Sequence, residues 1–149
     1  MDHFAYSDGE LHSEEVPLRD IAREAGTPVY VYASATLRHH ARVMREALAN
    51  LGDPLVAFAV KANPNPAVLA ILASEGLGAD IVSIGEYRQA RAAGVPPARI
   101  LFSGVGKTAE EMAEALSGGI CQINVESVEV ASTLSEVAVS AGRNAADGV

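Results

Sequence analysis

Lys61 closes an apolar run, Leu55-Val-Ala-Phe-Ala-Val60, and the chain then passes at once into Ala62-Asn63-Pro64-Asn65-Pro66. A short apolar run of this kind reads as a buried strand, and the residues behind it as a turn into a helix. Few structural roles want an ammonium group at that lip. Carbonyl chemistry does, because a primary amine can attack a carbonyl carbon and hold it covalently. A free lysine is almost wholly protonated at neutral pH. Partial burial at a strand end would raise its neutral, nucleophilic fraction. The plain alternative is a lysine that snorkels out of a strand end, and position alone leaves both open.

Asp80 is the second candidate. It lies inside a short strand between Ala79 and Ile81, so it faces inward or sits at the strand end. A buried carboxylate needs a partner, and a lysine or a cofactor nitrogen would serve; a strand-end cap is the plain reading. Ser103-Gly-Val-Gly-Lys-Thr108 resembles a phosphate loop, yet the required glycine five positions before Gly106 is replaced by Leu101. Ordinary βα-turn glycines explain it better. Glu86 and Tyr87 follow a strand and read as a solvated first helical turn. Cys121 reads as a buried small hydrophobe.

These groups need elements to carry them. Residues 1–15 are polar and read as irregular, with a short strand around Phe4. Pro17 opens a helix that Gly26 ends. Thr27–Tyr32 reads as a strand, and Ser34 as the N-cap of a longer helix with Leu37, Ala41, Met44, Leu48 and Leu51 on one face. From Leu55 a rhythm sets in. Strands at Leu55–Val60, Ala79–Val82, Arg99–Phe102 and Ile120–Asn124 alternate with helices opened by Asn65-Pro66, by the region of Gly85, by the capping box Thr108…Glu111, and by Ser127. Four βα units imply a parallel sheet with helices packed outside it. An open doubly wound sheet and a (β/α)8 barrel both fit. A full barrel takes about 250 residues, so this chain holds half of one.

Bulk properties exclude several classes. The chain has 149 residues, 49% of them hydrophobic, which allows one domain with a real core. It carries 11 basic and 19 acidic residues, net -8, with no basic run, which argues against nucleic acid. A single cysteine forbids an intrachain disulfide, and His39-His40 lacks further ligands at metal spacing. No signal peptide or apolar span is visible, so the expected location is cytoplasmic.

Five segments occur in series: Thr27-Pro-Val-Tyr-Val-Tyr32; Ala59-Val-Lys61-Ala-Asn63; Gly78-Ala-Asp-Ile-Val-Ser83 with Gly85-Glu86; Phe102-Ser-Gly-Val-Gly-Lys-Thr108; and Ile123-Asn-Val-Glu-Ser127. Together they resemble the N-terminal portion of the diaminopimelate decarboxylases, pyridoxal-phosphate enzymes of the alanine-racemase-like barrel class. The likeness runs to about residue 141. It implies an α/β fold, the N-terminal half of a pyridoxal-phosphate-binding (β/α)8 barrel that stops before its fifth strand. It implies pyridoxal 5'-phosphate held by Lys61 as a Schiff base, with Asp80 near that lysine. It also implies decarboxylation of meso-diaminopimelate to L-lysine, no membrane or nucleic-acid partner, and a homodimeric full-length form.

The expected division is an N-terminal segment over 1–33, the partial barrel over 34–141, and a divergent tail over 142–149. Ile84 stands where the family usually has glycine, which crowds a turn near the cofactor. Residues that the resemblance assigns to phosphate, pyridine nitrogen and substrate fall beyond the chain, so the isolated chain is expected to be inactive. The rivals are a related decarboxylase of ornithine or arginine, and a non-catalytic pyridoxal-phosphate-binding or interaction protein.

Overall fold

The computed structural model describes residues 2–142. The expected tail over 142–149 therefore falls, beyond Gly142, outside the described residues. The chain opens with a three-stranded antiparallel sheet: β1 (Phe4–Ser7), β2 (Glu10–Ser13) and β3 (Val16–Pro17), in that order. The irregular region expected over 1–15 is thus a hairpin. Its signal is Asp8-Gly9, where both residues have positive φ (51° and 80°), as a tight hairpin turn requires.

Helix α1 (Leu18–Ala25) follows Pro17 and stops at Gly26, as expected. Thr27–Tyr32 corrects the sequence reading: it joins neither sheet among the described residues. Tyr30 is 89% exposed there. Strand propensity expresses itself only when a neighbouring strand takes up the backbone hydrogen bonds.

Helix α2 (Ser34–Ala47) begins at Ser34 rather than after it. Its capping group comes from elsewhere in the chain: the Glu14 carboxylate accepts from the Ala35 N–H at 2.9 Å and the Ser34 hydroxyl at 3.0 Å. These two donors hold the Glu14 carboxyl below its ordinary value. The expected apolar face of α2 holds only in part. Ala41 is buried, but Met44 is 52% and Leu51 71% exposed.

The second sheet holds β4 (Ala57–Ala59), β5 (Gly78–Ile81), β6 (Ile100–Phe102) and β7 (Gln122–Ile123), all parallel and in sequential order. Between and after them run α3 (Pro66–Ser74), α4 (Ile84–Ala92), α5 (Ala109–Ser117) and α6 (Val128–Ser140). Sequential order decides between the two architectures left open above. A doubly wound sheet reverses its order at a switch point and places helices on both faces. Here there is no reversal, so right-handed crossovers put every helix on one face, as in a segment of barrel wall.

Burial agrees. Ile81, Ile100 and Phe102 have no exposure and Ile123 has 1%, packed with Leu69, Tyr87, Met112, Ala115, Leu116 and Leu134 from the helices. The alternate register row, Ala59–Asp80–Leu101–Gln122, is only half-buried or exposed. The helix starts are as the sequence implies. Asn65 caps α3 with Pro66 behind it, Ser127 caps α6, and Thr108 and Glu111 exchange both bonds of the capping box. Tyr87, expected to be solvated, is instead a core residue at 6% exposure, because its position in α4 faces the sheet.

Glu75, at the end of α3, ties that helix to α2. Arg42 grips its carboxylate with two bonds (2.7 and 2.8 Å), and Arg38 adds one at 2.9 Å. Arg45 donates to the Glu75 carbonyl at 2.7 Å. Residues 38, 42 and 45 share one helix face, and their charge also suits the negative end of α3.

Two outcomes follow. A Cβ at Gly78 would lie 2.2 Å from the Arg99 carbonyl oxygen and 2.7 Å from Leu55 Cδ1. Gly78→Ala should therefore cost about 1–3 kcal/mol in urea unfolding, and an unchanged midpoint would contradict the packing. The two arginines, Arg42 first, hold the Glu75 carboxyl down from 4.5 to about 2. A depressed carboxyl stabilises the fold in full above its unfolded value and loses that contribution as pH falls through the folded one. The difference in melting temperature between wild type and Glu75→Gln should therefore be constant above pH 4.5 and shrink towards pH 2.

Candidate active site

Lys61 sits in a single 3₁₀ turn, Val60–Ala62, immediately after β4. Val60 is fully buried and anchors that turn. The Asn63 N–H donates back to the Val60 carbonyl at 3.0 Å. Asn63 Oδ1 then accepts from the Asn65 N–H at 3.1 Å, and Asn65 Oδ1 from the Ala67 N–H at 2.9 Å. Two asparagine side chains thus accept from the Asn65 and Ala67 N–H groups that alternate with Pro64 and Pro66, which have no N–H of their own. The turn after Lys61 is set by local chemistry and leads straight into α3.

Two expectations about Lys61 need correction. It lies one turn past the strand, and it is exposed rather than partly buried. It takes part in none of the ion pairs found among the described residues.

The chain has only one other lysine, Lys107, and its situation is the opposite. The Lys107 side chain is 1% exposed. Its Nζ donates to Glu126 Oε2 at 2.6 Å and to the Gly104 carbonyl, and lies 5.7 Å from the centre of the Phe102 ring. The loop over 103–108 thus turns its lysine inward to hold its own backbone, away from any phosphate. The sequence shows the near miss to a phosphate loop but not this inward turn, which depends on Glu126 nineteen residues on.

Asp80 pairs in register with Ala59, two residues before Lys61, and with Leu101 on the other side. It is half-buried. Its Oδ1 accepts from the Ser103 hydroxyl at 2.5 Å. Ser103 Oγ in turn accepts from Asn124 Nδ2 at 2.9 Å, and Asn124 Oδ1 from Gln122 Nε2 at 2.6 Å. The polar face of the sheet therefore carries a continuous chain of hydrogen bonds across the C-terminal ends of β5, β6 and β7. Ser103 and Asn124 lie within motifs visible in the sequence, but no role attaches to them there. Their signal is the period of two: each falls two residues past a partner in the Asp80 register row.

Around these groups, Ser83 caps α4 through the Glu86 N–H at 3.3 Å, and Glu86 Oε2 accepts from the Val82 N–H at 2.7 Å. Glu86 is therefore engaged with backbone rather than free in solvent. Ile84 opens α4 and packs against the core, and its N–H donates to Glu111 Oε1 at 3.2 Å. Gly104 has φ 88°, which lets the chain turn sharply after Ser103. Cys121 is half-buried rather than fully buried.

The arrangement suits an aldehyde cofactor at its reactive end. An exposed primary amine, without an ion pair among the described residues, stands at the strand C-termini, the catalytic face of barrels. A carboxylate held by a hydroxyl occupies the adjoining strand. The donor set is that of carbonyl capture and charge compensation.

Lys107 gives a prediction. Lys107→Met leaves the Gly104 carbonyl and the Glu126 carboxylate without their donor, which should cost about 3 kcal/mol. Adding Glu126→Gln should recover part of that loss. Equal urea midpoints for wild type and Lys107→Met would refute the role.

Comparison with known proteins agrees with this geometry. Residues 34–144 match the family described as pyridoxal-dependent decarboxylase, pyridoxal binding domain. The diaminopimelate decarboxylase of Zymomonas mobilis subsp. mobilis is 56% identical over 145 residues, covering 96% of this chain and 34% of that protein. A crystal structure from Aquifex aeolicus superposes with a TM-score of 0.89 at 43% identity, over 96% of this chain and 35% of that one. The diaminopimelate decarboxylase of M. jannaschii gives a TM-score of 0.91 at 32% identity, over 97% and 34%. The chain thus spans about a third of the length of these relatives. With its one-sided parallel sheet and a lysine at the strand ends, it belongs to the pyridoxal-dependent decarboxylases, matching their pyridoxal-binding domain.

Proposed function

We propose that Lys61 is the residue that carries pyridoxal 5'-phosphate, and that the complete enzyme releases carbon dioxide from meso-diaminopimelate to leave L-lysine. The observation that carries this reading is the placing of Lys61: exposed, without an ion pair among the described residues, at the C-terminal end of β4 beside the Asp80 strand. The diaminopimelate decarboxylases at up to 56% identity support the substrate.

Lys61 holds the cofactor through its ε-amino group. The cofactor's ring, when bound, supplies a sink for the electron pair left as carbon dioxide departs. Asp80 supplies a counter-charge to the ammonium form of Lys61. Its Oδ1 is engaged by Ser103, and its Oδ2 accepts no hydrogen bond among the described residues, which leaves that oxygen for a donor at the site. The turn built by Asn63 and Asn65 fixes the direction from which the lysine reaches the site.

A homodimeric full-length form, a cytoplasmic location and a division of the chain near residue 34 belong to the same reading. The family match beginning at residue 34 supports the last. No helix among the described residues is long and apolar enough to cross a membrane.

Borohydride treatment of the chain with pyridoxal phosphate should fix one cofactor equivalent on the peptide that contains Lys61. Lys61→Ala should lose that label. Labelling of Lys107 in its place, or undiminished labelling of Lys61→Ala, would overturn the assignment. Release of carbon dioxide from diaminopimelate is expected of a protein with the length of the relatives, and not of these 149 residues by themselves.

A further inference from the structure

We infer that Ser103 and Asn124 are positioning residues for Asp80, forming a one-way chain of donors that presents its carboxylate to the Lys61 side. The inference deepens the reading of Lys61 and Asp80 given above and rests on it.

The direction follows from donor and acceptor counts. An ionised carboxylate only accepts. The Ser103 hydroxyl has one proton, and at 2.5 Å from Asp80 Oδ1 that proton goes to the carboxylate. Ser103 Oγ is then left with lone pairs, and one of them takes a proton from Asn124 Nδ2 at 2.9 Å. With its amide nitrogen committed, Asn124 presents Oδ1 outward, where Gln122 Nε2 donates at 2.6 Å. Each link thus orients the next, from the solvent edge at Gln122 to Asp80 in the middle of the sheet.

The supports are stiff. The Ser103 N–H donates to the Ile81 carbonyl at 2.8 Å, and the Asn124 N–H to the Phe102 carbonyl at 2.8 Å. Both side chains therefore stand on the same ladder as Asp80 and hold it from one side. Hydrogen bonds to a charged group are stronger than neutral ones. The carboxylate is thereby fixed with Oδ1 towards β6, which leaves Oδ2 for a donor from the other direction.

The chain also makes a specific demand on residue 124. Asparagine can donate to Ser103, whereas aspartate, of the same size, can only accept. Asn124→Asp would draw the Ser103 proton away from Asp80 and should act like Ser103→Ala. Ser103→Thr keeps the hydroxyl and should act like wild type.

The test uses the 149-residue chain in two conditions. Without cofactor, carboxyl groups are coupled with a water-soluble carbodiimide and glycine ethyl ester, and the rate at Asp80 is read by peptide mass spectrometry. Loss of a charge-assisted bond should raise that rate on the order of tenfold in Ser103→Ala and Asn124→Asp, with Ser103→Thr unchanged. Coupling at Glu75, held by Arg38 and Arg42 on the far side of the fold, serves as the internal control and should not change. With pyridoxal phosphate, borohydride-fixed label at Lys61 should fall in the same two variants and return in Ser103→Thr.

Asp80 coupling at the wild-type rate in both variants would overturn the inference. So would a rise shared with Glu75, which marks a loosened fold, or a Ser103→Thr variant that behaves as Ser103→Ala. If Lys61 takes up no label in wild type but Asp80 responds as stated, the donor chain stands and the reading of Lys61 fails.

Discussion

The structure depends on one constraint, the two-residue alternation along four parallel strands whose order never reverses. Because no strand turns back, every crossover helix lies against one face. That face takes Ile81, Ile100, Phe102 and Ile123, all essentially without exposure. The other face is left for residues that apolar packing does not claim. Asp80, Ser103, Gln122 and Asn124 occupy it, joined by hydrogen bonds. A shift of one residue in register would exchange the two faces and destroy both the core and the site.

Charge is handled differently in the body of the fold and at its rim. The two buried charged residues are paired, Glu75 by two arginines and Lys107 by Glu126 and a carbonyl, while Arg99, half-buried, keeps its Nε without a hydrogen-bond partner. Burial without such partners would be costly. At the strand C-termini the pattern is the reverse. Lys61 is exposed and forms no ion pair among the described residues, and Asp80 has one oxygen committed and one available. The chain's two lysines thus differ: Lys107 braces a loop, while Lys61 is exposed at the strand ends.

Local signals in the sequence were legible where a few neighbouring residues decide the outcome. Asn65-Pro66, Ser127 and the Thr108–Glu111 box start their helices as read, and Gly26 and Gly76 stop theirs. The apolar runs and their spacing gave the parallel βα succession. Signals failed where the deciding partner is distant. Thr27–Tyr32 has strand residues but no strand beside it in either sheet. The α2 cap comes from Glu14, twenty residues away. Tyr87 reads as a solvated turn until α4 is seen lying on the sheet. The hairpin over Phe4–Ser13 was within reach, since Asp8-Gly9 is a strong turn signal, but the polar character of the segment masked it.

By itself, the sequence determined the repeating unit and the caps, and singled out Lys61 and Asp80 as candidates, because these rest on side-chain type and short-range spacing. The tertiary structure decided the rest. Strand order selected a barrel wall over a doubly wound sheet, a choice that no run of residues encodes because it depends on which side each crossover takes. It also decided that Lys107 faces inward while Lys61 faces solvent, although both follow strands. Only the lateral stacking of β5, β6 and β7 brings residues 80, 103 and 124 within hydrogen-bond reach. Parallel strands are joined through helices, so groups that meet at their ends are necessarily some twenty residues apart in the chain.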